Sequence, residues 1–151
     1  MTGEVRVKVT HIVFAALMAT ASAVSAAEAP DNRTPLERYR GGTQFYLLSC
    51  SLSFKLATLK AEGDQSQDEK NDYAGCITKG KTVSKSNLGK ALRTVKKPKA
   101  QEALKTYHVA FVSALEGIFP GTDERRISYE QRQQALKDKV TEAWARFEVE
   151  Q

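Results

Sequence analysis

Two cysteines, Cys50 and Cys76, stand symmetrically about a predicted break in the chain, and this arrangement leaves few folds open. Each lies 13 residues from Gly63, which begins the turn-like sequence Gly63-Asp64-Gln65-Ser66. If antiparallel helices flank this turn, the two sulfur atoms come level on neighbouring helices. Their alpha carbons can then reach the roughly 5.5–6 Å separation that a disulfide needs. We therefore predict a Cys50–Cys76 disulfide between two antiparallel helices.

The first residues have the pattern of a secretory signal peptide. Arg6 and Lys8 supply a positive start, and residues 12–24 form a small, apolar stretch. Small residues at positions 24–27 suit a signal peptidase; cleavage after Ala26 or after Ala27 fits this pattern, and we prefer Ala27. A retained membrane anchor is the alternative, but the apolar run falls short of the roughly 20 residues that a spanning helix needs.

Export sets the expected compartment and the domain plan. We predict a signal peptide at 1–27, a flexible arm at 28–33 and a single helical domain at 34–151, with a periplasmic or secreted location and no stable membrane span after cleavage. Pairing of two cysteines is the default in an oxidising compartment. Because Cys50 and Cys76 are far apart in sequence, we expect a structural staple rather than a redox centre.

The first predicted helix begins well and then becomes ambiguous. Thr34-Pro35-Leu36-Glu37 combines a capping threonine, a proline in the first turn and a glutamate that can bond back. Gly41-Gly42 then predicts an interruption, with a short separate piece before it. Residues 45–59 alternate like a strand, but their length favours a helix. In a helix, one apolar stripe contains Phe45, Leu48, Leu52, Leu56 and Leu59.

Three further amphipathic segments follow. Ser66 and Glu69 predict a capping box for a helix that Pro98 ends at about Lys96, and the glycines within it leave a bend or break near 80–87 open. The clearest helical periodicity runs over 99–119, and the last helix begins between 122 and 128. We predict an all-α fold, a small antiparallel bundle of about four helices stapled by one disulfide.

One motif resembles a nucleotide-binding loop but lacks its context. Residues 75–82 match the pattern G-x-x-x-x-G-K-[ST] letter for letter. Phosphate binding by this loop requires a buried strand that feeds it. The preceding residues 69–74 are too polar to form such a strand. We reject nucleotide binding.

No catalytic or metal-binding constellation emerges from the sequence. His108 is the single histidine after residue 27, and it has no carboxylate three or four residues away, so we expect a half-buried packing role. The serines lack a recognisable base. We predict no cofactor, no metal site and no enzymatic activity.

Charge is distributed unevenly along the chain. Residues 79–105 contain nine basic side chains and one acid, Glu102. A solvated surface accounts for such a segment, and a docking surface for an acidic partner is the functional alternative. The candidate binding patch consists of Lys79, Lys90, Arg93, Lys96, Lys97 and Lys99.

These features favour a binding function over catalysis. We expect a protein-binding module, such as an inhibitor, an immunity-type protein or an accessory chaperone, with an acidic envelope protein as partner. The alternative is a binder of anionic envelope polymer or lipid through the lysine-rich face. Nucleic acid is not expected, because residues 79–105 contain no aromatic side chain that could stack on a base.

Overall fold

A computed structural model describes residues 31–60 and 67–151, and these form four helices. They are α1 (Pro35–Lys60), α2 (Gln67–Thr94), α3 (Pro98–Glu116) and α4 (Arg126–Glu150). No strand occurs among the described residues, so the predicted all-α bundle is confirmed. The predicted signal peptide, the first three residues of the predicted arm at 28–33, and the turn near Gly63 lie outside the described residues. So does the predicted Ser66–Glu69 capping box, because Ser66 and the side chain of Glu69 are not described.

Helix α1 begins where the sequence predicts. The Thr34 amide donates to Glu37 Oε2 at 2.7 Å, and the Glu37 amide donates to Thr34 Oγ1 at 3.2 Å. This reciprocal pair satisfies two amides that a helix start leaves without intrahelical partners.

The predicted interruption at Gly41-Gly42 is wrong, because α1 continues through both glycines. The fully buried side chains of Tyr39 and Thr43 hold the helix on either side of them. Each glycine costs about 1 kcal/mol relative to alanine in a helix. Tertiary packing of the flanking turns offsets this local cost.

Residues 45–59 are helical, as the length argument predicts, but the stripe inferred for them does not face the core. Phe45, Leu48, Leu52 and Leu56 are all exposed, and the side chain of Leu59, the fifth member, lies outside the described part of the structure. The helix instead buries Cys50 and Ala57 and half-buries Leu47 and Phe54. Helix α1 has large apolar side chains on opposite faces, so periodicity alone could not identify the packing face.

Helices α2 and α3 meet at a short connection formed by residues 95–97. Helix α2 is continuous, without the break left open near 80–87, and ends at Thr94, two residues before the predicted end. The Gln101 side chain donates to the Val95 carbonyl at 2.9 Å and so closes this connection. Pro98 occupies the first turn of α3, where its missing amide hydrogen costs nothing.

Helix α3 forms the centre of the domain, because it packs against all three other helices. The apolar positions that follow the helical period over 99–119 face the core, as this periodicity predicts. The buried members of this face are Ala100, Ala103, Leu104, Tyr107, Phe111, Ala114 and Leu115. Helices α1 and α2 form one hairpin-like pair, and α3 and α4 form the second.

The connection between α3 and α4 is held by Arg132. Its guanidinium donates to the carbonyl of Gly117 at 2.7 Å and to that of Phe119 at 2.8 Å, and it forms a two-point ion pair with Glu124. Arg132 therefore provides a charged donor to carbonyl groups at the end of α3. Its ion pair with Glu124 lowers the pKa of that carboxyl group to about 2.

The predicted disulfide joins α1 to α2. Cys50 and Cys76 are bonded, with their alpha carbons 5.8 Å apart. Cys50 is buried beside Phe111 and Leu115 of α3, so the staple lies within the core. None of the described helices combines the length and the apolar character that a membrane crossing requires.

Candidate functional site

The six basic residues of the predicted patch are all exposed, but they do not form one compact cluster. Lys90 and Arg93 lie in the last turns of α2, Lys96 and Lys97 lie in the connection, and Lys99 begins α3. We call these five the basic corner. Lys79 shares a side of α2 with Lys90 but lies roughly 16 Å away along the helix axis.

The basic corner has a strongly positive electrostatic environment. Its five cations form no ion pair within the described part of the chain, in contrast to Arg40, Lys81, Arg126 and Arg132 elsewhere. Helix α3 starts here with no acid in its first turn and no side-chain cap. The positive end of the helix dipole therefore adds to the lysine charges. The corner can attract anions, but it exposes no large apolar side chain beside them.

A second surface runs along α1, formed by residues whose common stripe was predicted from the sequence but whose exposure was not. We call Phe45, Leu48, Leu52 and Leu56 the outer stripe; their exposed fractions are 62%, 70%, 52% and 51%. Their spacing of three or four residues places them on one helix face. The strand-like alternation over 45–59 was the available signal, since it reflects apolar residues on both faces of α1.

The outer stripe borders a groove between α1 and α4. No Cα atom of α1 lies within 8 Å of one in α4 among the described residues, so the bundle is open on this side. Leu48 lies on one side of the groove and Leu136 on the other, while Ala114 of α3 and Ile118, which follows the end of α3, form its floor. This apolar part has a volume of about 320 Å³.

The groove is lined by polar residues at one end and is crossed by an ion pair between α1 and α4 at the other. Toward the start of α4 it continues into a cavity of about 420 Å³ that is lined by Ser51, Lys55, Arg126, Tyr129, Glu130, Gln133, Gln134 and Lys137. At the other end, Arg40 of α1 forms an ion pair with Glu148 of α4 at 3.1 Å and lies 4.4 Å from the centre of the Trp144 ring. The groove therefore runs along α1 from this bridge to the start of α4.

A buried hydrogen-bonded network connects α1 and α3. The Tyr39 hydroxyl lies 3.0 Å from His108 Nδ1, and Thr43 Oγ1 lies 2.7 Å from the Tyr107 hydroxyl. Burial raises the pKa of both tyrosines, while burial and nearby Lys85 lower the pKa of half-buried His108. Tyr39, Thr43 and Tyr107 are closed off from solvent. These three hydroxyl groups are inaccessible, and the network holds α1 against α3.

The loop-like motif at 75–82 lies inside α2. Its backbone amides are part of a regular helix and cannot cradle a phosphate in the way the loop requires. Cys76 within it is already bonded to Cys50. The helical conformation of residues 75–82 thus agrees with the rejection of nucleotide binding from the sequence.

Metal-ligand side chains are not grouped in the described residues, where no cluster of three or more His, Cys, Asp or Glu could hold an ion. Comparisons with protein-family models, with curated proteins and with solved structures found no match.

Proposed function

We propose that this is an exported protein-recognition module, which binds a helical segment of a partner protein in the groove between α1 and α4. One observation supports this most strongly: the outer stripe leaves four large apolar side chains more than half exposed beside an open groove. A contiguous exposed apolar patch is typical of an interaction surface. The other large apolar side chains that are exposed in the described part of the chain form no such stripe: Val109 lies on α3, and Ile127 and Val149 lie at opposite ends of α4.

Covering the outer stripe would supply a useful binding free energy. Full burial of a large apolar side chain is worth about 1.5–3 kcal/mol. At their observed exposures, the four residues together offer about 3–7 kcal/mol before the costs of association. This range suits a specific protein contact, and Leu48 belongs to both the stripe and the groove.

The shape of the groove favours a helix as the bound element. Between Gln44 and Lys55, α1 forms its wall over roughly 16 Å, or three helical turns. Partner helices commonly dock through apolar residues at i, i+3 or i+4, and i+7. An inhibitor, an immunity-type protein or an accessory chaperone would each act through such a contact.

Export with removal of residues 1–27 belongs to the same proposal. The Cys50–Cys76 disulfide is compatible with an oxidising compartment. The predicted partner is accordingly another protein of the envelope or of the secreted fraction.

The first test is a capture experiment on an envelope extract with the oxidised protein that begins at Glu28. Wild type is compared with Leu48→Ser/Leu52→Ser and with Val109→Ser/Val149→Ser, which removes two exposed apolar side chains elsewhere. We expect one discrete protein to remain bound to wild type and to the control at moderate salt, and to be lost from the stripe variant. Equal capture by all three would refute the proposal.

A second candidate function is supported by the basic corner. Its five exposed cations form no ion pair in the described part of the chain, and they surround the uncapped start of α3. This arrangement fits an anionic envelope polymer or lipid. Such binding weakens steeply with salt and would be lost in Lys90→Gln/Arg93→Gln/Lys96→Gln/Lys97→Gln. If only polymer or lipid is captured and the glutamine variant loses it, this candidate replaces the first.

A further inference from the structure

The groove between α1 and α4 carries positive charge near the start of α4. Lys55 of α1 and Lys137 of α4 line both its apolar and its polar part. Neither lysine forms an ion pair within the described residues, whereas Arg126 is paired with Glu130 at 2.8 Å. The rim therefore has two cations whose charge is available to a ligand.

The helix dipole adds to this charge. Helix α4 begins at Arg126 without an acid in its first turn and without a side-chain cap. Its positive end therefore faces the same end of the groove as Lys55 and Lys137. At the opposite end, the Arg40–Glu148 ion pair balances its own charge. The residues that line the groove near the start of α4 thus have a net positive charge, whereas the bridge is neutral.

We propose that the ligand of this groove is an acidic amphipathic helix, with leucine-like residues on one face and Asp or Glu beside that face near one end. The apolar face covers Leu48 and Leu136, and the acidic end lies between Lys55 and Lys137. This inference rests on the proposed function and specifies the chemistry of the partner.

A second copy of the chain fits this groove less well. Helix α1, whose outer stripe would be the apolar face of such a contact, has no acidic residue between positions 38 and 60. It therefore supplies no negative charge for Lys55 and Lys137. Desolvating two cations without a counter-charge opposes association. Charge complementarity selects a different, acidic partner.

The test uses two synthetic helical peptides of about four turns with the same leucine face. One has glutamates at the end of that face, and the other has lysines at the same positions. Binding to the oxidised protein that begins at Glu28 is measured by fluorescence anisotropy at low and moderate salt. The informative variant is Lys55→Glu/Lys137→Glu. The matched control is Lys90→Glu/Lys96→Glu, which makes the same change of charge on the basic corner.

We expect wild type to bind the glutamate peptide about three- to tenfold more tightly than the lysine peptide, as two exposed ion pairs would provide. The groove variant should reverse this preference, and the corner variant should leave it largely unchanged. Leu48→Ser/Leu52→Ser should weaken both peptides, and circular dichroism should show each variant to be folded.

Different failures have different meanings. Equal affinity for the two peptides, with both lost in Leu48→Ser/Leu52→Ser, would overturn the acidic preference but leave helix recognition by the groove intact. If the corner variant reverses the preference and the groove variant does not, this inference is overturned and the basic corner is the binding site. Binding of neither peptide at millimolar concentration would overturn the inference, while the capture experiment would still decide the proposed function.

Discussion

Gly80 lies at a close contact between three helices, and its hydrogen side chain is what permits that contact. A methyl group at this position would lie 2.9 Å from Leu115 Cδ2 and 3.1 Å from the Tyr46 ring. Gly89, on the same helix, has no neighbour within 4 Å of such a group. The two glycines therefore have opposite roles, although sequence reasoning assigns each the same helical penalty.

Alanine at these two positions should change stability in opposite directions. We expect Gly80→Ala to lower the free energy of unfolding by about 1–3 kcal/mol, because it overpacks a buried contact. Gly89→Ala should raise it by up to about 1 kcal/mol, since only the helix propensity changes. Urea denaturation of both variants measures this, and stabilisation by Gly80→Ala would show that the helices do not approach so closely.

His108 should make stability depend on pH. Its folded-state pKa is lowered by burial and by Lys85 of α2, and Tyr39 of α1 provides its hydrogen-bond partner. Below the ordinary pKa of 6.5 the unfolded chain binds a proton that the folded chain resists. Stability is therefore lost as the pH falls from 6.5 toward the folded-state pKa.

Denaturation of wild type and His108→Gln between pH 5 and 8 provides the measurement. We expect the free energy of unfolding of wild type to fall more steeply below pH 6.5 than that of the variant. Parallel curves would mean that His108 has the same pKa in both states. The sequence predicted the half-buried position from a lone histidine near an apolar stripe, but it could not identify Tyr39 and Lys85 as neighbours.

Helix α1 illustrates what a sequence pattern can and cannot determine. Its start follows from Thr34 and Glu37, whose interaction is local. Its packing face depends on which residues meet α2 and α3, and apolar side chains on both faces leave that choice to tertiary structure. By contrast, α3 has a single apolar stripe, and its buried face was predicted correctly.

The exposed face of α1 predicts an asymmetry between two apolar substitutions. Leu52 is 52% exposed, whereas Phe111 of α3 is fully buried. We expect Leu52→Ser to change the free energy of unfolding by no more than about 0.5 kcal/mol. Phe111→Ala should cost about 3–5 kcal/mol. A large loss of stability in Leu52→Ser would mean that the outer stripe packs against the domain.

The disulfide constrains the first pair of helices. It closes a loop with a sequence separation of 26 residues, for which chain entropy predicts about 3.5 kcal/mol of stabilisation. Cys50→Ala/Cys76→Ala should therefore lower the Tm clearly, and a reducing agent should affect wild type but not the variant. An unchanged Tm would show that α1 and α2 are held by packing alone. The cysteine spacing about Gly63 was sufficient to predict this pair.

At the level of the whole domain, the α1–α2 pair packs against α3 of the second pair, and this arrangement leaves a groove between α1 and α4. Short connections and amphipathic segments predict a bundle, but they do not specify whether α1 and α4 pack against each other. Packing between α1 and α4 depends on residues that are distant in sequence. These two helices meet through side chains such as Arg40, Trp144 and Glu148. The basic corner could be predicted from the run of basic residues in the sequence, whereas the groove could be identified only from the folded structure.

The most direct measurement is an NMR titration of the isotope-labelled, oxidised protein that begins at Glu28 with the glutamate-flanked helical peptide. We predict that amide and methyl shifts will concentrate on the α1–α4 groove and the outer stripe, including Leu48, Leu52, Lys55, Leu136 and Lys137. Shifts confined to the basic corner, at Lys90, Arg93, Lys96, Lys97 and Lys99, would contradict the account and identify electrostatic attraction as the basis of binding.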